Sequence, residues 1–194
     1  MAKSWRVREL VNVIIVLGAY QGEAIDAFYD AKKIDNSWKV VCYEPNKNAV
    51  EILSSKYPQA IIHTKAVHTH NGTIDYRISS AEQKNGISSN IPDVCSTEVI
   101  ECIDIDDILD TLDNYEQVIM RIDIEGSEYD VIPKLIEHKN LKKITELYLE
   151  WHTTNNEHVD IELLNKKLIK NIPVTLIATN DGTTQHRILT THKC

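Results

Sequence analysis

The chain has 194 residues, 42% of them hydrophobic, and a net charge of −8. That length and apolar content predict one globular domain over residues 1–194 and exclude a disordered chain. The acidic balance argues against general affinity for nucleic acid or an anionic membrane, and there is no apolar run of about 18 residues to make a membrane span.

Residues 1–10 are basic and weakly patterned, and read as a short helix or a loose arm. Val11–Leu17 is a β-branched and aliphatic run too short for a helix of that composition. It predicts a strand buried on both faces, hence a parallel sheet. Gly18-Ala-Tyr-Gln-Gly22 follows, then Ala24, Ile25, Ala27, Phe28 and Ala31 at helical spacing. Val40–Tyr43 is the second strand and ends at Glu44-Pro45-Asn46, where Asn46 caps a helix that Pro58 stops. Ala60–Val67 reads as the third strand. Asn71-Gly72 predicts a tight hairpin to a strand at Thr73–Ile78. Residues 79–97 read as a long loop, a common form for lids and binding loops. Glu98–Ile103 reads as a strand and Ile105–Leu112 as a short helix.

Val118–Ile124 is the next buried strand. Ser127 with Asp130 has capping-box spacing, and Pro133 calls for a late helix start or a kink. Ile144–Leu149 is a strand running out at Glu150-Trp151-His152. A helix capped by Asp160 follows. Val174–Ala178 and Arg187–Leu189, around an Asn180-Asp-Gly182 turn, predict an antiparallel C-terminal edge pair. Strands alternating with helices define an α/β fold, doubly wound with a mostly parallel sheet and an inserted β-hairpin. The four cysteines (Cys42, Cys95, Cys102, Cys194) form no C-x-x-C pair, which fits reduced thiols and a cytoplasmic location; a disulfide framework or zinc site is the alternative.

Ligands of such folds bind beyond the carboxyl ends of the strands. Three strand ends carry chemistry. Gly18-x-x-x-Gly22 permits close approach of backbone to a ligand, although many strand-to-helix turns contain glycine. Glu44 can accept hydrogen bonds from a ribose diol, or serve as a solvated charge where a helix starts. Asp123 and Glu125 form a paired-acid signal, against the ordinary preference for acids at a helix start. Glu150 and His152 are two apart, so an extended chain points them to one side.

Together these segments resemble the FkbM family of S-adenosylmethionine-dependent methyltransferases, over roughly residues 13–152. The carriers are Val16-Leu-Gly18-Ala19-Tyr-Gln-Gly22, Tyr43-Glu44-Pro45-Asn46, Ala66-Val67 with Gly72 in the expected hairpin, Ile105-Asp106-Asp107-Ile-Leu109, Arg121-Ile-Asp123-Ile-Glu125-Gly126-Ser-Glu128, and Glu150-x-His152. The resemblance implies a class I methyltransferase fold and O-methylation of a small-molecule or glycan acceptor. It implies that Gly18, Ala19, Tyr20, Gln21 and Gly22 hold the methionine part of the cofactor. Glu44, with Pro45 and Asn46, would meet its ribose, Ala66 the adenine, and Asp123 the region of the sulfonium and acceptor. Asp123, Glu125, Glu150 and His152 are the catalytic candidates. His152 or Asp123 is favoured as base with Glu150 orienting it; alternatively a divalent cation (Mg²⁺ or Mn²⁺) is held by Asp123, Glu150 and His152. Two positions depart from the family pattern: Val16 stands where an acid is usual and Tyr20 where Asn is usual. The competing readings are a nucleotide-dependent (NAD-type) oxidoreductase, against which the missing G-x-G-x-x-G argues, and a non-catalytic relative that kept the cofactor-binding fold.

Overall fold

The structure is a computed structural model. It describes residues 10–80, 85–87, 93–152 and 160–172 in full, and the backbone of 174–180. The expected N-terminal arm, most of the middle of the 79–97 loop, the turn after Asn180 and the last strand, 187–189, lie outside those residues.

Six strands form one sheet in the order β3 (Ile61–His63), β2 (Lys39–Tyr43), β1 (Val11–Leu17), β7 (Tyr115–Ile122), β8 (Glu146–His152) and β9 (Val174–Asn180). Every neighbouring pair is parallel. The reason is legible in β1, where Val13 to Leu17 are all at most 1% exposed. A strand with no solvent face needs cover on both sides. Ile14 and Val16 pack with Ile25 and Phe28 of α1 (Glu23–Asp30) and Leu53 of α2 (Lys47–Lys56). Val13, Ile15 and Leu17 face the opposite layer. There they join Ile108 of α3 (Ile105–Asp110), Ile132 of α4 (Glu128–Glu137) and Leu168 of α5 (Ile161–Asn171). Burying each such aliphatic side chain stabilises by about 1.5–3 kcal/mol, which makes β1 the central beam of the fold. Val16 belongs to this beam and is fully buried, so an acid there would sit inside the α1-side core.

The chain leaves β1 toward β2 and β3, then returns on the other side through β7 and β8. The order therefore reverses between β1 and β7, and the crevice above that point is where an open α/β sheet binds ligands.

The expected third strand is two strands. The Lys65 amide donates back to the His63 carbonyl at 2.9 Å, a turn that ends β3, and β4 (Ala66–His68) begins in a separate small sheet. That sheet has the order β4-β6-β5, with β5 (Gly72–Ser79) antiparallel to β6 (Val94–Asp104) and β4 parallel to β6. The inserted antiparallel pair is thus β5–β6, and β6 starts earlier than its sequence signal. Asn71-Gly72 does not close a two-strand hairpin, because β6 lies between β4 and β5. The Asn71 side chain instead accepts from the Asp104 amide at 3.1 Å and donates to Asp107 at 2.6 Å, bracing the end of β6.

Capping divides the same way. Asn46 caps α2 through the amides of Asn48 and Ala49, and Asp160 caps α5 through Leu163. Ser127 makes no capping bond; its hydroxyl is buried without a hydrogen-bond partner. The carboxylate of Glu128 takes over, accepting from the Ile124 and Gly126 amides at 2.8 Å each. Helix α4 begins at Glu128, so Pro133 lies past its first turn and offers no N–H to the Tyr129 carbonyl.

Candidate functional site

A cavity of about 720 Å³ opens at the topological switch point, within the ~300–1,000 Å³ usual for small-molecule sites. Its floor is the turn after β1. Gly18 has φ +77°, and a Cβ there would stand 1.7 Å from the Asp123 carbonyl oxygen, so only glycine fits against the turn after β7. Gly18, Ala19 and Tyr20 line the cavity; Gln21 and Gly22 do not. Gly22 is packed against the Tyr57 ring, where a Cβ would approach within 2.6 Å. Its smallness serves the α1–α2 contact.

The loop amides are largely engaged within the protein. Gly18 and Ala19 donate to the Tyr43 carbonyl at 2.9 and 3.3 Å. Tyr20 donates to Glu44 Oε2 and Asn46 to Glu44 Oε1, each at 2.8 Å. Glu44 is 5% exposed yet lines the cavity. Burial raises its pKa, the Asn46 and Tyr20 amides oppose that rise, and the Asp123 charge adds to it. A carboxylate has about four acceptor positions, so two remain for hydroxyls of a ligand. Pro45 and Ala66 line the same cavity. So does Asn46, whose side-chain oxygen is already used in the helix cap. The inserted sheet contributes Tyr76, and Gly86 is tied to β5 through paired backbone bonds with Arg77.

The opposite wall carries the charge. Asp123 and Glu125 follow β7, with Glu125 at φ +49° and Gly126 at φ +100°, so the turn is left-handed at two successive residues. Glu150 and His152 come from the end of β8. Arg121 donates to Asp123 Oδ2 at 2.8 Å and to Glu150 Oε2 at 2.7 Å, joining the two strand ends. His152 Nε2 lies 3.4 Å from both Asp123 Oδ1 and Glu125 Oε1. Its Nδ1 lies 3.0 Å from Glu128 Oε1, and the Tyr129 hydroxyl donates to its backbone carbonyl at 2.8 Å. Glu128 is fully buried.

These contacts shift the acids and the base apart from their ordinary behaviour. Burial raises Glu125 to about 7, against the opposing charge of His152. Burial also raises Asp123, with Arg121 opposing and Glu150 reinforcing. For His152, burial disfavours the charged ring, but the Glu128 bond and the charges of Glu128, Glu125 and Asp123 outweigh it, giving about 9. Asp123, Glu125 and His152 offer donor atoms that lie within 4.8 Å of one another, a set able to hold a metal ion. Glu150, named in the sequence-based metal set, is held by Arg121 and stands outside this trio.

Two residues of this wall were not recognised as site residues from sequence. Arg121 sits in an apolar strand run, and a lone cation there is an available signal, since a buried charge needs partners. Glu128 is masked by the general preference for acids at helix starts.

The fold and site define a doubly wound α/β protein with a glycine-floored cavity and an acid–histidine cluster at the switch point. The description "Methyltransferase FkbM domain" matches residues 17–169, and the chain belongs to that family. A crystal structure of methyltransferase FkbM from Methylobacillus flagellatus KT is similar at 18% identity with a TM-score of 0.41. That match covers 70% of this chain and 33% of the other, so the chain spans about a third of that protein's length. No curated protein matches the chain. Among the described residues, no helix is long and apolar enough to cross a membrane.

Proposed function

We propose that the chain is an S-adenosylmethionine-dependent O-methyltransferase acting on a hydroxyl of a sugar, glycan or similarly polar metabolite. The observation that carries this reading is one cavity with two walls: a glycine floor beside Glu44, and the Asp123–Glu125–His152 cluster facing it. The residues present suit the cofactor. Gly18 lets the turn after β7 close against the cavity floor, Glu44 has acceptor capacity for a ribose, and Ala66 with Val67 offers a small apolar wall for a flat base.

When bound, the cofactor supplies a methyl group on a sulfonium, which passes to oxygen as the carbon–sulfur bond breaks. The protein's task is then to hold an acceptor hydroxyl in line and to take its proton. Glu125 is suited to that second task, because a base works best with a pKa near the operating pH and Glu125 lies at about 7. His152, at about 9, is protonated near neutrality and steadies the negative charge beside it. This shifts the base assignment from His152 or Asp123 toward Glu125. Arg121 fixes Asp123 and Glu150 so that the acids keep their places when the acceptor enters. The predominance of polar groups on this wall favours a polyhydroxyl acceptor over a greasy one.

The test is calorimetry of the full chain with S-adenosylhomocysteine and, separately, NADH, followed by transfer of labelled methyl to a panel of sugars. Binding of the first and turnover of a panel member are expected. NADH binding alone would replace this reading with the oxidoreductase one. Cofactor binding without turnover across the panel would leave a non-catalytic relative.

A further inference from the structure

His152 Nε2 is buried and has no hydrogen-bond partner, although two carboxylates face it. The 3.4 Å gaps to Asp123 Oδ1 and Glu125 Oε1 are long for an N–H···O bond. They are close to the separation of donors that share one octahedral ion: bonds of about 2.2 Å meeting at roughly 90–100° put donor atoms about 3.1–3.4 Å apart. The far side of the ring is already arranged for such a role. Glu128 Oε1 stands against Nδ1, and the Ile124 and Gly126 amides hold the Glu128 carboxylate in place. A carboxylate behind a histidine keeps a proton on Nδ1, so that when a cation displaces the Nε2 proton to solvent the Nε2 lone pair faces outward. Arg121 takes Asp123 Oδ2 and Glu150, which leaves Asp123 Oδ1 facing the histidine. The carboxylates that draw a proton to Nε2 would draw a cation to the same place. All three residues line the cavity, and so does Ser127, whose buried hydroxyl has no hydrogen-bond partner.

We propose that Asp123, Glu125 and His152 form a three-donor divalent-cation site whose remaining positions open into the cavity, suited to Mn²⁺ ahead of Mg²⁺. One imidazole with two carboxylates is a mixed donor set; Mg²⁺ prefers oxygen and retains its waters, whereas Mn²⁺ accepts both donor types. The chemistry deepens the methyltransferase reading and rests on it; the binding does not. An acceptor hydroxyl entering an open position becomes more acidic. Its O–H bond breaks with the proton passing to the second oxygen of Glu125. The new C–O bond forms as the C–S bond breaks, and the electron pair of that bond stays on sulfur.

The experiment uses the full chain stripped with a chelator and titrated with MnCl₂, free Mn²⁺ being followed by electron paramagnetic resonance. One Mn²⁺ per chain is expected. Binding should weaken by about tenfold or more in Asp123→Asn and Glu125→Gln and stay unchanged in Glu162→Gln, an exposed acid on α5. Should either site variant lose its fold by circular dichroism, the wild type still decides: Mn²⁺ should broaden the His152 ring signals ahead of those of the other histidines. No uptake, equal uptake by the folded site variants, or broadening centred on other histidines overturns the proposal. Calorimetry with S-adenosylhomocysteine on the metal-free chain separates the two readings. Cofactor binding without Mn²⁺ uptake removes the cation site alone. Mn²⁺ uptake at this site without cofactor binding removes the methyltransferase reading alone.

Discussion

The turn after β1 and the turn after β7 meet across one cavity, and each follows a strand whose aliphatic residues, Val13–Leu17 in β1 and Val118, Ile119 and Ile122 in β7, are buried. The first is closed on itself. Its amides are spent on the Tyr43 carbonyl and Glu44, and Gly18 touches the Asp123 backbone so tightly that no side chain fits. The second is open in the electrostatic sense. It gathers Asp123, Glu125, Glu150, Arg121 and His152, raises the pKa values of Asp123, Glu125 and His152, and leaves one buried nitrogen unsatisfied. The contrast fits the division of labour proposed above: a wall that fixes the shape of a constant ligand needs satisfied backbone, whereas a wall that moves a proton needs groups held away from their resting states.

Substitutions can break that division, starting with the largest effect. Gly18→Ala forces a Cβ into the Asp123 carbonyl at a positive φ, and should cost about 3 kcal/mol or more in urea denaturation while abolishing S-adenosylhomocysteine binding. Glu125→Gln should separate the walls. Its kcat toward the acceptor found in the sugar panel should fall about a hundredfold, while S-adenosylhomocysteine affinity by calorimetry stays within about twofold of wild type. Glu44→Gln keeps one acceptor oxygen for the loop amides but loses the charge, and should weaken S-adenosylhomocysteine by roughly tenfold, the effect of losing one good charged hydrogen bond.

The smallest effect should fall outside both walls, where Lys134 of α4 bonds Asp104 at 2.6 Å and ties the inserted sheet to the main fold. Burial raises the Asp104 pKa, but the Lys134 bond and the Asp106 amide outweigh it and lower it below 3.8. A carboxyl held below its ordinary value adds stability above that value and loses it as the pH falls further. Lys134→Gln should therefore cost about 1 kcal/mol near neutrality, and the two proteins should converge in acid, as read by thermal melts across pH.

The strand-and-helix skeleton was legible where one residue's local chemistry decides the outcome. The aliphatic run of β1, the Asn46 cap and the Asp160 cap are of this kind. Features decided by distant partners were not. The 60–67 run reads as continuous because its apolar pattern does not reveal the Lys65-to-His63 turn that splits it between two sheets. Asn71-Gly72 has the chemistry of a hairpin, yet Asn71 is recruited by Asp104 and Asp107 from the end of β6. Ser127 has capping spacing, but the left-handed pair Glu125–Gly126 turns the loop amides toward Glu128 instead. At the site, the acids and His152 were visible as strand-end residues. The choice of Glu125 over Glu150 beside the histidine was not, because it depends on where Arg121 binds.

The central claim is that one wall binds the cofactor while the other performs chemistry. Its most direct test is a calorimetric titration of S-adenosylhomocysteine into the wild-type chain, Glu44→Gln and Glu125→Gln at fixed pH. The account predicts one-to-one binding to the wild type, loss of affinity confined to Glu44→Gln, and near-wild-type affinity in Glu125→Gln. No binding to the wild type, or an equal loss in both variants, would contradict it.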